Sequence, residues 1–181
     1  MKLAIPVNAR DHTIGLPDAL VTVVNYGDYE CPDCRRRHRA IEKMFDQLVD
    51  SVRFVYRHFP LVNVHTHALR ATEAAEAAAA QGKFWEMHRQ LYDHPDKLEE
   101  RHLRHYAKQI GLDLNRFDRE MAGGAYSAQI LDHYYNSLIN GITGAPTTFI
   151  NGELYAMSGV ELLSVVKTIL GKNQSSGNAL L

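Results

Sequence analysis

The sequence predicts an α/β protein in which a βαβ unit and a later ββα unit are separated by an all-helical insertion. Three observations carry this. A β-branched run from Ala19 to Tyr26 precedes an amphipathic stripe and a second β-branched run, Val52–Phe59. From about Thr66 to Asn140 no convincing strand occurs. After that block an Asn151-Gly152 pair joins two short runs ahead of a last helical stripe.

Residues 1–18 form a Pro- and Gly-punctuated lead-in with short apolar pieces such as Leu3-Ala4-Ile5. Ala19–Tyr26 is apolar on both faces and bounded by Pro17-Asp18 and Gly27-Asp28, which reads as a buried strand. A helix follows, with Pro32 in its first turn, where a missing N–H costs nothing, and Ile41, Met44, Phe45 and Leu48 as its core stripe. Val52–Phe59 is the second strand, closed by Pro60, and strand–helix–strand predicts a parallel pair with a right-handed crossover. Thr66–Gln81 is Ala-rich and helix-favouring, with Gly82 as its break. Helical spacing recurs in Phe84/Met87/His88/Leu91, in Leu103/Tyr106/Ala107/Ile110, in Phe117/Met121 and in Tyr126/Ile130/Tyr134/Leu138. A strand ending at the Asn151-Gly152 turn, a returning strand Glu153–Met157 and a helix Val160–Leu170 complete the layout. The expected division is 1–63 with 141–170 as one domain, 64–140 as the helical insertion, and 171–181 as a frayed tail.

Length and charge bound the function. A chain of 181 residues suits one domain, or one domain carrying an insertion. With 45% apolar and 23% charged residues, global disorder, a collagen-like repeat and a disulfide scaffold are excluded. Twenty basic against twenty-one acidic residues give no general reason to expect a nucleic acid or an anionic membrane as partner. No apolar run is long enough for a transmembrane helix. The first twenty residues are too polar for a secretory signal, so a cytoplasmic address is expected if Met1 is the native start. A periplasmic or other extracytoplasmic address follows if a longer precursor was trimmed.

The two cysteines, Cys31 and Cys34, are separated only by Pro32 and Asp33. Positions i and i+3 of a helix share a face, with Cβ atoms about 5–6 Å apart, close to what a disulfide accepts. At a helix N-terminus the first thiol lies beside unpaired N–H groups, which favour its thiolate. The second, one turn inside, suits the resolution of a mixed disulfide. The alternatives are half of a metal site, for which histidines would have to complete the ligand set, and an inert pair. Glu30 and Asp33 oppose a thiolate, whereas Arg35, Arg36, Arg37, His38 and Arg39 favour it. That basic run reads either as pKa tuning with a rim for acidic partners, or as a solvated face.

Four blocks occur in order: Val-Thr-Val-Val-Asn-Tyr-Gly-Asp-Tyr-Glu-Cys-Pro-Asp-Cys, Arg-Phe-Val-Tyr-Arg-His-Phe-Pro-Leu, Gly-Lys-Phe-Trp-Glu-Met-His, and Gly-Ala-Pro-Thr-Thr-Phe-Ile-Asn-Gly. Together, from about Val7 to Leu170, they resemble the DsbA-like thiol:disulfide oxidoreductases, whose thioredoxin-like fold has a central mixed sheet and a helical insertion. The resemblance implies Cys31 as nucleophile and Cys34 as resolving cysteine. Pro146 would be the cis-proline facing them, and the Ala145 backbone would dock an extended substrate. Sequence alone leaves a trans proline at the start of an edge strand open. Asn25 departs from the pattern: six residues before Cys31 relatives commonly carry a buried Glu that takes a proton from the resolving thiol. Asn cannot titrate, so water or another acid such as Asp28 would serve.

The remaining candidates are weaker. His65-Thr-His67 and His102-x-x-His105 have spacings that could hold a metal, but read better as surface or satisfied histidines. Phe84–His88 reads as a packed helix start or part of a substrate groove, and Tyr134-Tyr135 as packing. The expected function is a disulfide oxidoreductase that needs no cofactor and no metal, with protein or small-molecule thiols as substrates and a separate recycling partner. No nucleic-acid partner and no membrane insertion are expected, and a monomer is slightly favoured. The alternative is a redox-inactive or metal-holding binding module such as a chaperone. A glutathione-using conjugating enzyme is disfavoured by Cys34.

Overall fold

In the computed structural model, which describes residues 1–156 and 161–177, the expected order of elements is realised with one addition. The elements are β1 (His12–Ile14), β2 (Val21–Gly27), α1 (Pro32–Leu48), β3 (Val52–His58), α2 (Ala68–Ala79), α3 (Phe84–Asp93), α4 (Glu100–Gln109), α5 (Leu114–Ala122), α6 (Ser127–Ile139), β4 (Thr147–Ile150), β5 (Glu153–Tyr155) and α7 (Leu162–Gly177). Met157 and Val160, expected at a strand end and a helix start, lie outside the described residues, as do 178–181. Residues 171–177, expected to fray, continue α7. Among the described residues no helix is long and apolar enough to cross a membrane.

The five strands form one mixed sheet in the order β1-β3-β2-β4-β5. α1 connects the neighbours β2 and β3, while β1 runs antiparallel to β3, and β4 runs antiparallel to both β2 and β5. β2 is central and nearly continuously buried, which is why its run is apolar on both faces. β1 is the added element. It has three residues, half-buried or exposed, on the sheet edge, and gives no alternation from which a strand could be read. The turn between β4 and β5 has Asn151 at φ 48° and Gly152 at φ 81°, the left-handed pair that a two-residue hairpin requires.

Two compact units emerge. The first comprises Met1–Tyr26, Arg36–Arg57 and Pro146–Leu181. Its core holds Val21, Val23 and Val24 of β2, Ile41 and Met44 of α1, Val52 and Val55 of β3, Phe149 of β4, and Leu162 and Val166 of α7. The second comprises Gly27–Arg35 and His58–Ala145. Its centre is α2, whose Ala71, Ala74, Ala75, Ala77 and Ala78 are fully buried and which touches α3, α4, α5 and α6. Small side chains let four helices approach one axis closely. Sequence reading puts the boundaries near residues 63 and 140. By compactness, residues 27–35 group with the helices instead, because the side chains around the cysteines bond to loop 59–67 and to α3.

Candidate active site

The site is built where β2 ends and α1 begins, within the second unit. Gly27 closes β2, Asp28–Cys31 turn the chain, and Pro32 opens α1 at a position where its missing N–H breaks no helical bond. The Cys31 carbonyl accepts the first helical bond, from the Arg35 N–H at 3.1 Å. Cys31 therefore caps the helix, beside its positive end. Both thiols are free. Cys31 keeps 6% of its surface and Cys34 none, so only the first can meet a substrate sulfur without rearrangement. Pro32 and Asp33 between them are exposed.

Their surroundings move the two protons in opposite directions. Cys31 is lowered from 9.0 to about 6, chiefly because the Cys34 thiol donates a hydrogen bond to it. Burial opposes this, the Cys34 N–H and the His65 charge support it, and the Asp28 charge opposes it. Cys34 is pushed up, first by burial, then as the donor to Cys31 and by the thiolate charge beside it. The pair at neutral pH is thus one thiolate and one thiol. The Cys31 Sγ also lies 3.7 Å from the carbonyl oxygen of Ala145, the residue before Pro146. Ala145 and Pro146 are both half-buried at the entry to β4.

Residues flanking the cysteines anchor them. Asp28 is wholly buried. Its Oδ1 accepts the Glu30 N–H at 2.7 Å, and its Oδ2 accepts the Leu61 N–H at 2.7 Å and faces His65 Nδ1 at 2.9 Å. Glu30 Oε2 accepts the His67 N–H at 2.7 Å. The Tyr29 hydroxyl meets His88 Nδ1 at 3.0 Å, and its ring packs on those of His58, His88 and Tyr92. Arg35 donates to the carbonyl of Asp93 at 3.1 Å.

The basic run after Cys34 divides. Arg37 is buried over the Tyr155 ring at 5.0 Å and His38 is buried 3.4 Å from Glu42, while Arg36 and Arg39 are exposed. Among the charges that bear most on Cys31, His65 is one that lowers its pKa and Asp28 one that raises it. His65 is the satisfied histidine that its sequence context favours over a metal ligand with His67; its partner is 37 positions away, and no local pattern marks the pairing. Of the other histidine pair, His102 sits on Glu99. Asn25 is buried and accepts a 2.8 Å bond from the Thr148 hydroxyl, its cross-strand partner. Phe84, Met87 and His88 are buried in the second unit, and Tyr134 packs on Phe59 while Tyr135 is exposed.

A thioredoxin family model matches residues 8–167. The chain belongs to the thioredoxin family. Within it, the architecture is that of the DsbA-like thiol:disulfide oxidoreductases, as the sequence blocks implied. A thioredoxin-like oxidoreductase from Silicibacter pomeroyi DSS-3 superposes with a TM-score of 0.76 at 27% identity, over 93% of this chain and 94% of that one. BdbD from Bacillus subtilis superposes with a TM-score of 0.75 at 22% identity, over 88% of this chain and 90% of that one. In sequence, the chain is 44% identical over 154 residues to a Na(+)/H(+) antiporter, NhaA 3, of Salinispora tropica, covering 83% of this chain and 23% of that protein. It is 40% identical over 168 residues to the antiporter NhaA 1 of Salinispora arenicola, covering 92% and 26%. The chain thus spans about a quarter of the length of these relatives.

Proposed function

We propose that the protein is a thiol:disulfide oxidoreductase acting on protein or small-molecule disulfides, with Cys31 as nucleophile and Cys34 as resolving cysteine. The observation that carries this reading is the opposite displacement of the two thiols: Cys31 is held as a thiolate at the surface edge, and Cys34 as a buried thiol one turn away. In the reducing direction the Cys31 thiolate attacks a substrate disulfide R–S–S–R′, forming Cys31–S–S–R and releasing R′–S⁻. Cys34 then loses its proton, attacks the Cys31 sulfur, closes the Cys31–Cys34 disulfide and releases R–S⁻. The oxidising direction is the reverse, begun by a substrate thiolate on the disulfide. Pro146 and the Ala145 carbonyl, which already lies beside the Cys31 sulfur, are the proposed docking points for the substrate chain.

A stabilised Cys31 thiolate stabilises the reduced pair, which favours disulfide donation. We place the potential above that of reducing thioredoxins at about −270 mV, toward the oxidising end near about −120 mV. Such a poise suits work outside a reducing cytosol. The antiport named for the relatives belongs to proteins of which the matched stretch is a quarter, so an ion antiporter is a candidate partner or companion domain. Equilibration against glutathione buffers tests the reading. A single two-electron transition supports it, and no transition would replace it with a binding module. A Cys34→Ser variant should trap partners as mixed disulfides at Cys31, and Cys31→Ser should abolish exchange.

A further inference from the structure

Three bonds tie the turn before Cys31 to loop 59–67, all within one compact unit: Leu61 N–H and His65 Nδ1 to Asp28 Oδ2, and His67 N–H to Glu30 Oε2. Asp28 has no exposed surface, and its own N–H donates to the Cys34 sulfur at 3.4 Å. A buried carboxylate so placed works against negative charge on either sulfur. Asn25 carries no charge and is bonded to Thr148, so it adds nothing to this balance. What counters Asp28 is the imidazole on its Oδ2. The His65 side chain keeps 17% of its surface and can exchange its proton with water.

We propose that His65 is a positioning residue that sets the reduction potential of the Cys31–Cys34 pair: as an imidazolium held on Asp28 it cancels the carboxylate charge and favours the reduced, thiolate-bearing state. The inference rests on the redox reading above. The reaction it biases is Cys31–S–S–Cys34 + 2 R–SH → Cys31–S⁻ + Cys34–SH + H⁺ + R–S–S–R, with R a glutathione or a protein thiol. Two electrons pass to the pair, and one proton leaves to water. Burial disfavours the charged His65, but its hydrogen bond to Asp28 and the charged groups facing it, Asp28, the Cys31 thiolate and Glu30, outweigh this and raise its pKa above 6.5. As pH rises through that raised value the imidazolium is lost, Asp28 stands uncompensated, and the pair becomes less oxidising than the Cys31 titration alone would make it.

The test is a set of variants in the full chain, read by equilibration with glutathione from pH 5.5 to 8.5 and by the pH dependence of Cys31 alkylation. His65→Gln should raise the Cys31 pKa and shift the equilibrium constant with glutathione about three- to tenfold toward a more reducing pair at neutral pH. His65→Lys, a cation across this range, should keep the wild-type constant near pH 6 and lose the extra decline above it. On an Asp28→Asn background most of the His65→Gln effect should vanish, because a histidine without its carboxylate is largely neutral at pH 7. Should Asp28→Asn fail to fold, the Gln and Lys variants alone decide. Unchanged potential and alkylation profile in folded His65→Gln, or a Lys variant that behaves like Gln, overturns the proposal. A wild-type pair with no two-electron transition would instead overturn the redox reading.

Discussion

Cys31 and Cys34 are the same side chain three positions apart; the first receives the hydrogen bond of the second, and the second is held as a thiol chiefly by its burial. The largest contribution to the Cys31 thiolate is the Cys34 S–H that points at it. The rate of Cys31 alkylation should therefore follow a single titration with a midpoint near 6. Cys34→Ala should move that midpoint back toward the ordinary thiol value by removing the donor, although it also relieves crowding. If the midpoint stays near 6 in the alanine variant, the helix end and His65 hold the thiolate instead. Cys34 itself should resist alkylation in the native protein, since it has no exposed surface and its thiol is pushed up.

At the scale of elements, the segment that leads into the edge strand β1 is held by a side chain of the neighbouring strand β3. Arg57 of β3 makes a two-pronged pair with Asp11 at 2.7 and 2.8 Å, and also donates to the carbonyls of Ile5 and Pro6 and to the Tyr26 hydroxyl. Both partners of the pair are about nine-tenths buried. Arg57→Lys keeps the charge but cannot reproduce the fork, and should cost about 2–3 kcal/mol in denaturant unfolding, with early proteolysis among residues 1–11. Gly15, just after β1, has φ 97°, and a Cβ there would lie 2.3 Å from the Val52 carbonyl oxygen. Gly15→Ala should destabilise by about 2 kcal/mol or more, whereas Gly82→Ala, with open space around it, should cost about 1 kcal/mol. These elements mark the limit of what the sequence shows. β2, α1 and the hairpin were legible because burial, a stripe at helical spacing and an Asn-Gly pair are local patterns. β1 was not, because its strand state comes from pairing with β3, about forty residues on. In the site, CxxC at a helix start was plain, and Asp28 could be named as a nearby acid. The charge balance between Asp28 and His65 lies in a long-range contact that no spacing encodes.

For the whole molecule, the thiolate couples fold stability to both redox state and pH. In the reduced protein Cys31 titrates near 6, against 9.0 for an ordinary thiol. A group whose pKa is depressed by folding contributes stability that is fully present above its unfolded value and is lost as pH falls through the folded value. The reduced protein should therefore gain stability relative to the oxidised form as pH rises from about 6 toward about 9, since the oxidised form has no thiolate there. His65 adds a smaller change of opposite sense. Its raised pKa contributes fully below 6.5 and fades as pH rises through the folded value. That contribution is larger in the reduced protein, where the Cys31 charge is among its partners. Paired thermal melts of the reduced and oxidised forms between pH 5 and pH 8 separate the two. The expected result is a gap in Tm, reduced minus oxidised, that widens with pH and begins to widen at a higher pH in His65→Gln, where the Cys31 pKa is raised. A gap that narrows as pH rises would mean that the reduced protein carries no stabilised thiolate. The asymmetry on which the proposed chemistry depends would then be absent.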